Sequence, residues 1–147
     1  MRKEFNLSYY AKVAKEGAVW LVNFRDLPYV FSEGDTLEEA LKNAQEALDG
    51  VLLTMAEQDQ TIPLPSASRK GEYPVSVSVD VAAPILLHIV RRTQHKTFSD
   101  VARKLKVPYQ QYQRLESNCN MTLKTLKKAG AALGARIEIR LYQEKRA

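Results

Sequence analysis

The chain has 147 residues, 27% charged and 45% apolar, with 22 lysines and arginines against 17 aspartates and glutamates. That is enough apolar material for one medium domain or two small ones. The single Cys119, with only the scattered His88 and His95 beside it, excludes a disulfide framework and a zinc site of familiar spacing. No stretch approaches the roughly 20 apolar residues a membrane helix needs. Lys12, Lys15 and Glu16 interrupt the N-terminus and leave no signal-peptide core, so a cytoplasmic protein with no membrane partner is expected.

Phe5, Leu7, Tyr9, Ala11 and Val13 alternate with polar neighbours, the period-two pattern of a half-buried strand. Glu16-Gly17 supplies a turn into the apolar run Ala18 to Phe24, a second strand paired with the first. Asp26-Leu27-Pro28 ends it, because proline has no ladder donor. Tyr29 to Ser32 predicts a short third strand. Thr36-Leu37-Glu38-Glu39 then has the spacing of a capping box, opening a helix whose apolar stripe from Leu37 to Met55 runs to about Gln58.

Ile62-Pro63-Leu64-Pro65-Ser66 reads as an extended connector, and the alternation from Tyr73 to Asp80 as a fourth strand. Four helical segments follow, Ala83 to Thr93, Phe98 to Lys106, Tyr109 to Ser117 and Leu123 to Leu133, the last stopped by Gly134. The alternating Arg136 to Tyr142 predicts a terminal β-strand. The fold class expected is α+β, with a β-β-β-α-β domain over 1–80 and an all-helical domain with a terminal strand over 81–147. Residues 1–80 carry 8 basic and 13 acidic side chains, and 81–147 carry 14 and 4. Such opposed charge points to a cationic partner for the first part and a polyanion for the second.

Thr97 to Glu116 carries the most specific pattern. A helix-turn-helix needs a small residue where its helices cross, and Ala102 stands there between the core positions Val101 and Leu105, with Tyr112 and Leu115 facing them from the second helix. Tyr109, Gln110, Gln113 and Arg114 are left outside the core near a helix start, where they would meet base edges in the major groove. Glutamine pairs bidentately with adenine and arginine with guanine. Thr97, Lys96, Arg103, Lys104 and Lys106 would lie closer to phosphates and fix register. A small helical bundle with a solvated basic face is the plainer alternative.

Ala102, Leu105, Tyr112, Leu115, Glu116, Leu126 and Ala132-Leu133-Gly134 resemble the Xre/Cro type of helix-turn-helix. Two departures stand out: Lys106 sits where glycine is usual, which requires a lysine in the left-handed conformation at a cost of about 1 kcal/mol or more, and Pro108 replaces the usual Ser or Thr cap. The first half resembles the HicB antitoxins, through Val19 to Pro28, Ser32-Glu33-Gly34-Asp35-Thr36-Leu37-Glu38-Glu39-Ala40 and Ile62 to Ser66. One branch of that family appends a helix-turn-helix.

The HicB resemblance implies a partial RNase H-like domain that binds and blocks a HicA-like toxin, a small basic mRNA-cleaving protein. It also implies repression of the chain's own operon, with the C-terminal domain on operator double-stranded DNA. Asp26, Glu33 and Asp35 are the candidate toxin-binding residues, although Glu33 or Asp35 taken alone reads first as a helix-start or solvated charge. A helix-turn-helix reads only a half-site, so a homodimer or higher even oligomer is expected, with the terminal strand pairing across the axis.

A nuclease would need carboxylates converging on two metal ions. Asp26, Glu33, Asp35, Glu46 and Asp49 lie on a strand end, a turn and a helix, with no pair inside a central strand. No catalytic residue, metal or cofactor is therefore assigned, and the chain is not expected to be an enzyme. A stand-alone DNA-binding regulator with an N-terminal ligand-sensing or oligomerisation domain is the rival reading, and an RNase H-like nuclease a more distant one.

Overall fold

The computed structural model describes residues 2–143, so Met1 and residues 144–147, the outer ends of the expected domains 1–80 and 81–147, lie outside the described residues. Among the described residues the fold is α+β, with four strands and five helices in the order β1 (Ser8–Glu16), β2 (Val19–Phe24), β3 (Phe31–Gly34), α1 (Leu37–Glu57), β4 (Tyr73–Ser76), α2 (Val79–Thr93), α3 (Phe98–Leu105), α4 (Tyr109–Leu115) and α5 (Leu123–Ala132). The sheet is antiparallel throughout, in the order β3-β2-β1-β4.

Glu16 pairs with Val19, leaving a two-residue hairpin loop in which Gly17 takes the positive φ of 61°. Tyr9, Ala11, Val22 and Phe24 point to one face of the sheet and are buried there under Ala40, Ala44, Leu48 and Leu52 of α1. Alanine at the first two of those helix positions lets α1 lie close to the strands. Gly34 marks the tightest approach, since a Cβ there would stand 2.6 Å from Ala40 N. The opposite sheet face, with Lys12, Asn23, Phe31 and Glu33, is open to solvent.

Several predicted elements move. The third strand is Phe31–Gly34 rather than Tyr29 to Ser32, because Val30 N bonds back to Leu27 O and closes a turn after Pro28. The threonine half of the capping box forms at Thr36, whose Oγ1 accepts Glu39 N at 3.0 Å. Among the described residues no bond runs back from Thr36 N to the Glu39 carboxylate. The fourth strand stops at Ser76: Ser78 donates its N–H and hydroxyl to the two oxygens of Asp49 on α1, and α2 begins immediately, with Pro84 inside it.

The terminal strand predicted over Arg136 to Tyr142 is not formed. Residues 135–143 have no regular structure, and among the described residues no backbone hydrogen bond reaches 136–142. A strand exists only as part of a ladder, and no neighbouring strand of the same chain lies beside this segment. The helical predictions hold, and α2 is common to two cores. Its Val81, Ile85 and Ile89 join the sheet and α1, while Leu87 and Val90 join Val101, Ala102, Tyr112, Leu126 and Leu133.

Candidate functional site

Two surfaces carry the predicted functional residues, and a buried charge cluster lies behind the first. The first surface is built on α3 and α4. Thr97 caps α3 in a reciprocal box, with Asp100 N donating to Thr97 Oγ1 at 3.1 Å and Thr97 N donating to Asp100 Oδ2 at 2.9 Å. Those bonds from Thr97, with Arg103 nearby, hold the Asp100 carboxyl below its ordinary value. The helix ends at Lys106, in the left-handed conformation at φ 59°. Its position is therefore the one the sequence pattern requires, with lysine bearing strain that glycine would not.

Pro108 then starts α4 with its carbonyl accepting Gln111 N at 3.0 Å. Proline costs nothing here, because the first amides of a helix have no intrahelical partner. Tyr112 is fully buried against Val101 and Ala102. With that face fixed inward, α4 exposes Tyr109, Gln110, Gln111 and Arg114, while Gln113 is half-buried. Thr97, Arg103, Lys104 and Lys106 are exposed on the adjoining α3 surface. Gln111 was not among the predicted residues; its neighbour Tyr112 is the signal that places it outward.

Around the start of α3 lies a hollow of about 380 Å³ lined by Arg92, His95, Lys96, Phe98 and Tyr109 among others. The Phe98 ring meets Tyr109 edge-on at 6.1 Å, and its face takes the Arg91 guanidinium at 4.1 Å, a cation–π contact.

Arg91 belongs to the buried cluster. His88 Nδ1 lies 2.9 Å from Glu116 Oε1, and His88 Nε2 lies 2.7 Å from Gln60 O. Arg91 donates to both Glu116 oxygens at 2.7 and 3.0 Å, to Asp59 Oδ1 at 2.6 Å and to Lys96 O at 2.8 Å. Arg92 adds bonds to Asp59 O and Thr61 Oγ1. Burial alone would raise the Glu116 carboxyl, but the bonds from His88 and Arg91 outweigh it and hold it below its ordinary value. Asp59, in left-handed conformation after α1, is lowered in the same way by Arg91 and Arg92. Burial, then the Glu116 charge, pushes the Tyr112 hydroxyl up; among the described residues that hydroxyl meets no hydrogen-bond partner. Sequence reading assigned no such cluster. Its only trace is His88 and Arg91 three apart on an otherwise apolar helix.

The second surface is the acidic edge of the sheet. Asp26 is engaged by Ser66, whose N–H donates to Oδ2 and whose hydroxyl donates to Oδ1, both at 2.8 Å. Burial opposes the charged form of Asp26, but these bonds and Arg25 keep its carboxyl low. Arg25 in turn reaches Glu72, Ser66 and Ala67 O, so the pair ties the connector to the sheet. Glu33 and Asp35 are exposed between β3 and α1. Glu33 stands opposite Leu21 on β2, whereas Asp26 lies beyond the end of that strand, against Ser66. The structure thus does not bring the three carboxylates together.

No helix of the described residues is long and apolar enough to cross a membrane. A family model described as HicB_like antitoxin of bacterial toxin-antitoxin system matches residues 8–86. The chain is 35% identical over 135 residues to Antitoxin HicB 2 of Photorhabdus laumondii, covering 91% of this chain and 96% of that one. It is 29% identical over 127 residues to Antitoxin HicB of Escherichia coli, covering 86% and 91%. The crystal structure of the N-terminal domain of Burkholderia pseudomallei antitoxin HicB aligns over 50% of this chain and 98% of that one, with 28% identity and a TM-score of 0.42.

Proposed function

The chain belongs to the HicB-like antitoxin family, and from that premise we propose that it neutralises a HicA-like mRNA-cleaving toxin and represses its own operon by binding operator DNA. An antitoxin implies a toxin partner. In this reading residues 1–80 mask the toxin, and residues 81–147 form a helix-turn-helix domain that binds double-stranded DNA as a homodimer or higher even oligomer. The protein works in the cytoplasm, where both mRNA and operator are found.

The observation that carries the operator half of the reading is the outward set Tyr109, Gln110 and Arg114 on α4, held there by burial of Tyr112 and Glu116. Glutamine in the first turn of α4 and arginine in its last turn have the donor pattern for adenine and guanine edges. Around them the exposed Arg103, Lys104 and Lys106 suit phosphates. The toxin half is supported by the excess of acid in residues 1–80, of the sign that an RNA-binding protein attracts. Asp26 acts there as a clamp on the connector, and Glu33 and Asp35 remain exposed for a basic partner.

The role is regulatory rather than enzymatic. Three carboxylates around the sheet are committed within the chain, Asp26 to Ser66, Asp49 to Ser78 and Glu72 to Arg25, which opposes their use as metal ligands of a nuclease.

Co-expression with the product of the neighbouring reading frame tests the toxin half. Rescue of growth with co-purification of the two proteins is the expected result, and a freely toxic neighbour would end it. Gel shifts against the upstream region test the operator half, with specific retention expected over random DNA at equal salt.

A further inference from the structure

Residues 1–80 carry an excess of acid, yet three of their 8 basic side chains meet in one place. Lys12, Arg69 and Lys70 border a hollow of about 590 Å³ beside the hairpin of β1 and β2, and among the described residues none of the three is in an ion pair. Its floor is two cross-strand pairs, Lys12 opposite Asn23 and Ala14 opposite Leu21. These side chains share the open face of the sheet, because the alternate positions Ala11, Val22 and Phe24 are buried on the other.

The wall is the turn Arg69-Lys70-Gly71-Glu72, closed by Glu72 N on Arg69 O at 3.1 Å with Gly71 at φ 83°. Glu72 fastens it from within, its side chain only 2% exposed. Oε1 accepts Arg69 N at 2.7 Å and the Arg25 guanidinium, while Oε2 is buried with no hydrogen-bond partner among the described residues. The rim is a strand edge. Val77 N bonds Leu7 O, so the odd positions of β1 turn their amides toward β4, which pairs no further than Ala11. Val13, the next odd position, lines the hollow, and among the described residues no backbone bond meets it on that side.

We propose that this hollow binds a nucleoside monophosphate. Glu72 is spent on Arg25, which leaves Lys12, Arg69 and Lys70 against Glu16, a surplus of two positive charges on the lining. A phosphate monoester, with about −1.5 to −2 charges at neutral pH, matches that surplus, and a single carboxylate would answer only half of it. The Val13 N–H adds a donor of the kind phosphate oxygens accept. The remaining groups describe the rest of the ligand. Glu72 Oε2 is a buried acceptor in want of a donor, Asn23 offers both a donor and an acceptor, and Ala14 with Leu21 gives a flat apolar patch. A nucleoside supplies hydroxyl and amine donors, ring acceptors and an aromatic face. The volume lies within the range of about 300–1,000 Å³ that small-molecule sites occupy. The same positive surplus repels a basic protein, so the hollow is distinct from the exposed Glu33 and Asp35 left for a toxin.

Titrating the isotope-labelled full chain with adenosine monophosphate, and following its amide NMR shifts, tests the site. Saturable shifts are expected at Lys12, Val13, Asn23 and Gly71, with a dissociation constant of about 1 mM or below. Lys12→Ala and Lys70→Ala should each weaken binding about threefold to tenfold. Both side chains are exposed, so the thermal midpoints should be that of the parent. Adenosine and inorganic phosphate, each lacking one part of the ligand, should bind at least about tenfold more weakly than the nucleotide. No saturable shift at those four amides up to about 10 mM nucleotide, shifts confined to 97–114, or unaltered affinity in both lysine variants overturns the proposal. Inorganic phosphate binding as tightly as the nucleotide would also overturn it, leaving a site for a bare anion. Neither toxin nor DNA enters the measurement, and its failure is distinct from a failure of the antitoxin reading.

Discussion

His88 Nδ1 lies 2.9 Å from Glu116 Oε1 across 28 positions of sequence, and through this contact the middle of α2 holds the end of α4. The same ring reaches Gln60 O, just past α1, so one side chain touches the connector of the sheet domain and the candidate DNA-reading helix. Both residues are fully buried, and Arg91 completes the Glu116 carboxylate from the other side.

Glu116→Gln removes the charge that two buried donors share. Breaking a buried ion pair by one partner leaves the other uncompensated, so a loss of about 3–5 kcal/mol is expected. Urea denaturation measures it, and a loss below about 1 kcal/mol would show that His88 and Arg91 are satisfied without the carboxylate.

Stability should also fall in acid. Glu116 and Asp59 are both lowered in the folded chain, so the unfolded state binds more protons as pH drops. Their contribution is therefore complete above the ordinary carboxylate values of 4.5 and 3.8 and is lost as pH falls through the lower folded values. Denaturation midpoints between pH 7 and pH 3 should show this decline, with a shallower slope in Asp59→Asn.

Lys106→Gly relieves a lysine at φ 59°. A gain of about 1 kcal/mol in folding stability is expected, while Lys106→Val should lose stability because branching at Cβ worsens the same clash. Thermal or urea unfolding of the two variants with the parent gives the order directly.

On the operator-binding reading, Arg114→Ala should cost about 1–3 kcal/mol on the operator and relax base preference at one position. Arg103→Ala should weaken operator and random DNA alike and lower the salt slope by about 1. Equal effects of the two substitutions on all sequences would assign Arg114 to phosphate.

Gly34→Ala would drive a Cβ to 2.6 Å from Ala40 N, against helix backbone that has no freedom to yield. A destabilisation of about 1–3 kcal/mol is expected, measurable by urea unfolding. Gly17→Ala meets no neighbour and should lose only what its positive φ costs.

Much of the fold is legible because it follows from local rules. Thr36 and Thr97 announce helix starts, Gly17 a hairpin loop, and Ala102 with Tyr112 the crossing of α3 on α4, each within a few residues of its effect. Boundaries set by distant partners were misplaced. Val79 looks like the continuation of a strand until Asp49, 29 positions away from Ser78, takes the N–H and hydroxyl of Ser78 and fixes the residue from which the helix starts. Asp26 looks like a free acidic residue until Ser66 takes both of its oxygens across 40 positions.

The amino-acid sequence by itself determined the α+β class, the order of the four strands and five helices that form, the left-handed turn at Lys106 and the outward placement of Tyr109, Gln110 and Arg114. These depend on periodicity, capping and backbone preference, which act over a few residues. Only the tertiary structure decided that α2 serves two cores and that His88, Arg91, Asp59 and Glu116 form one buried cluster. It alone showed Arg136 to Tyr142 without a ladder. Burial and hydrogen-bond partnership are settled by chain segments far apart in sequence, and a strand without a neighbour has only its pattern.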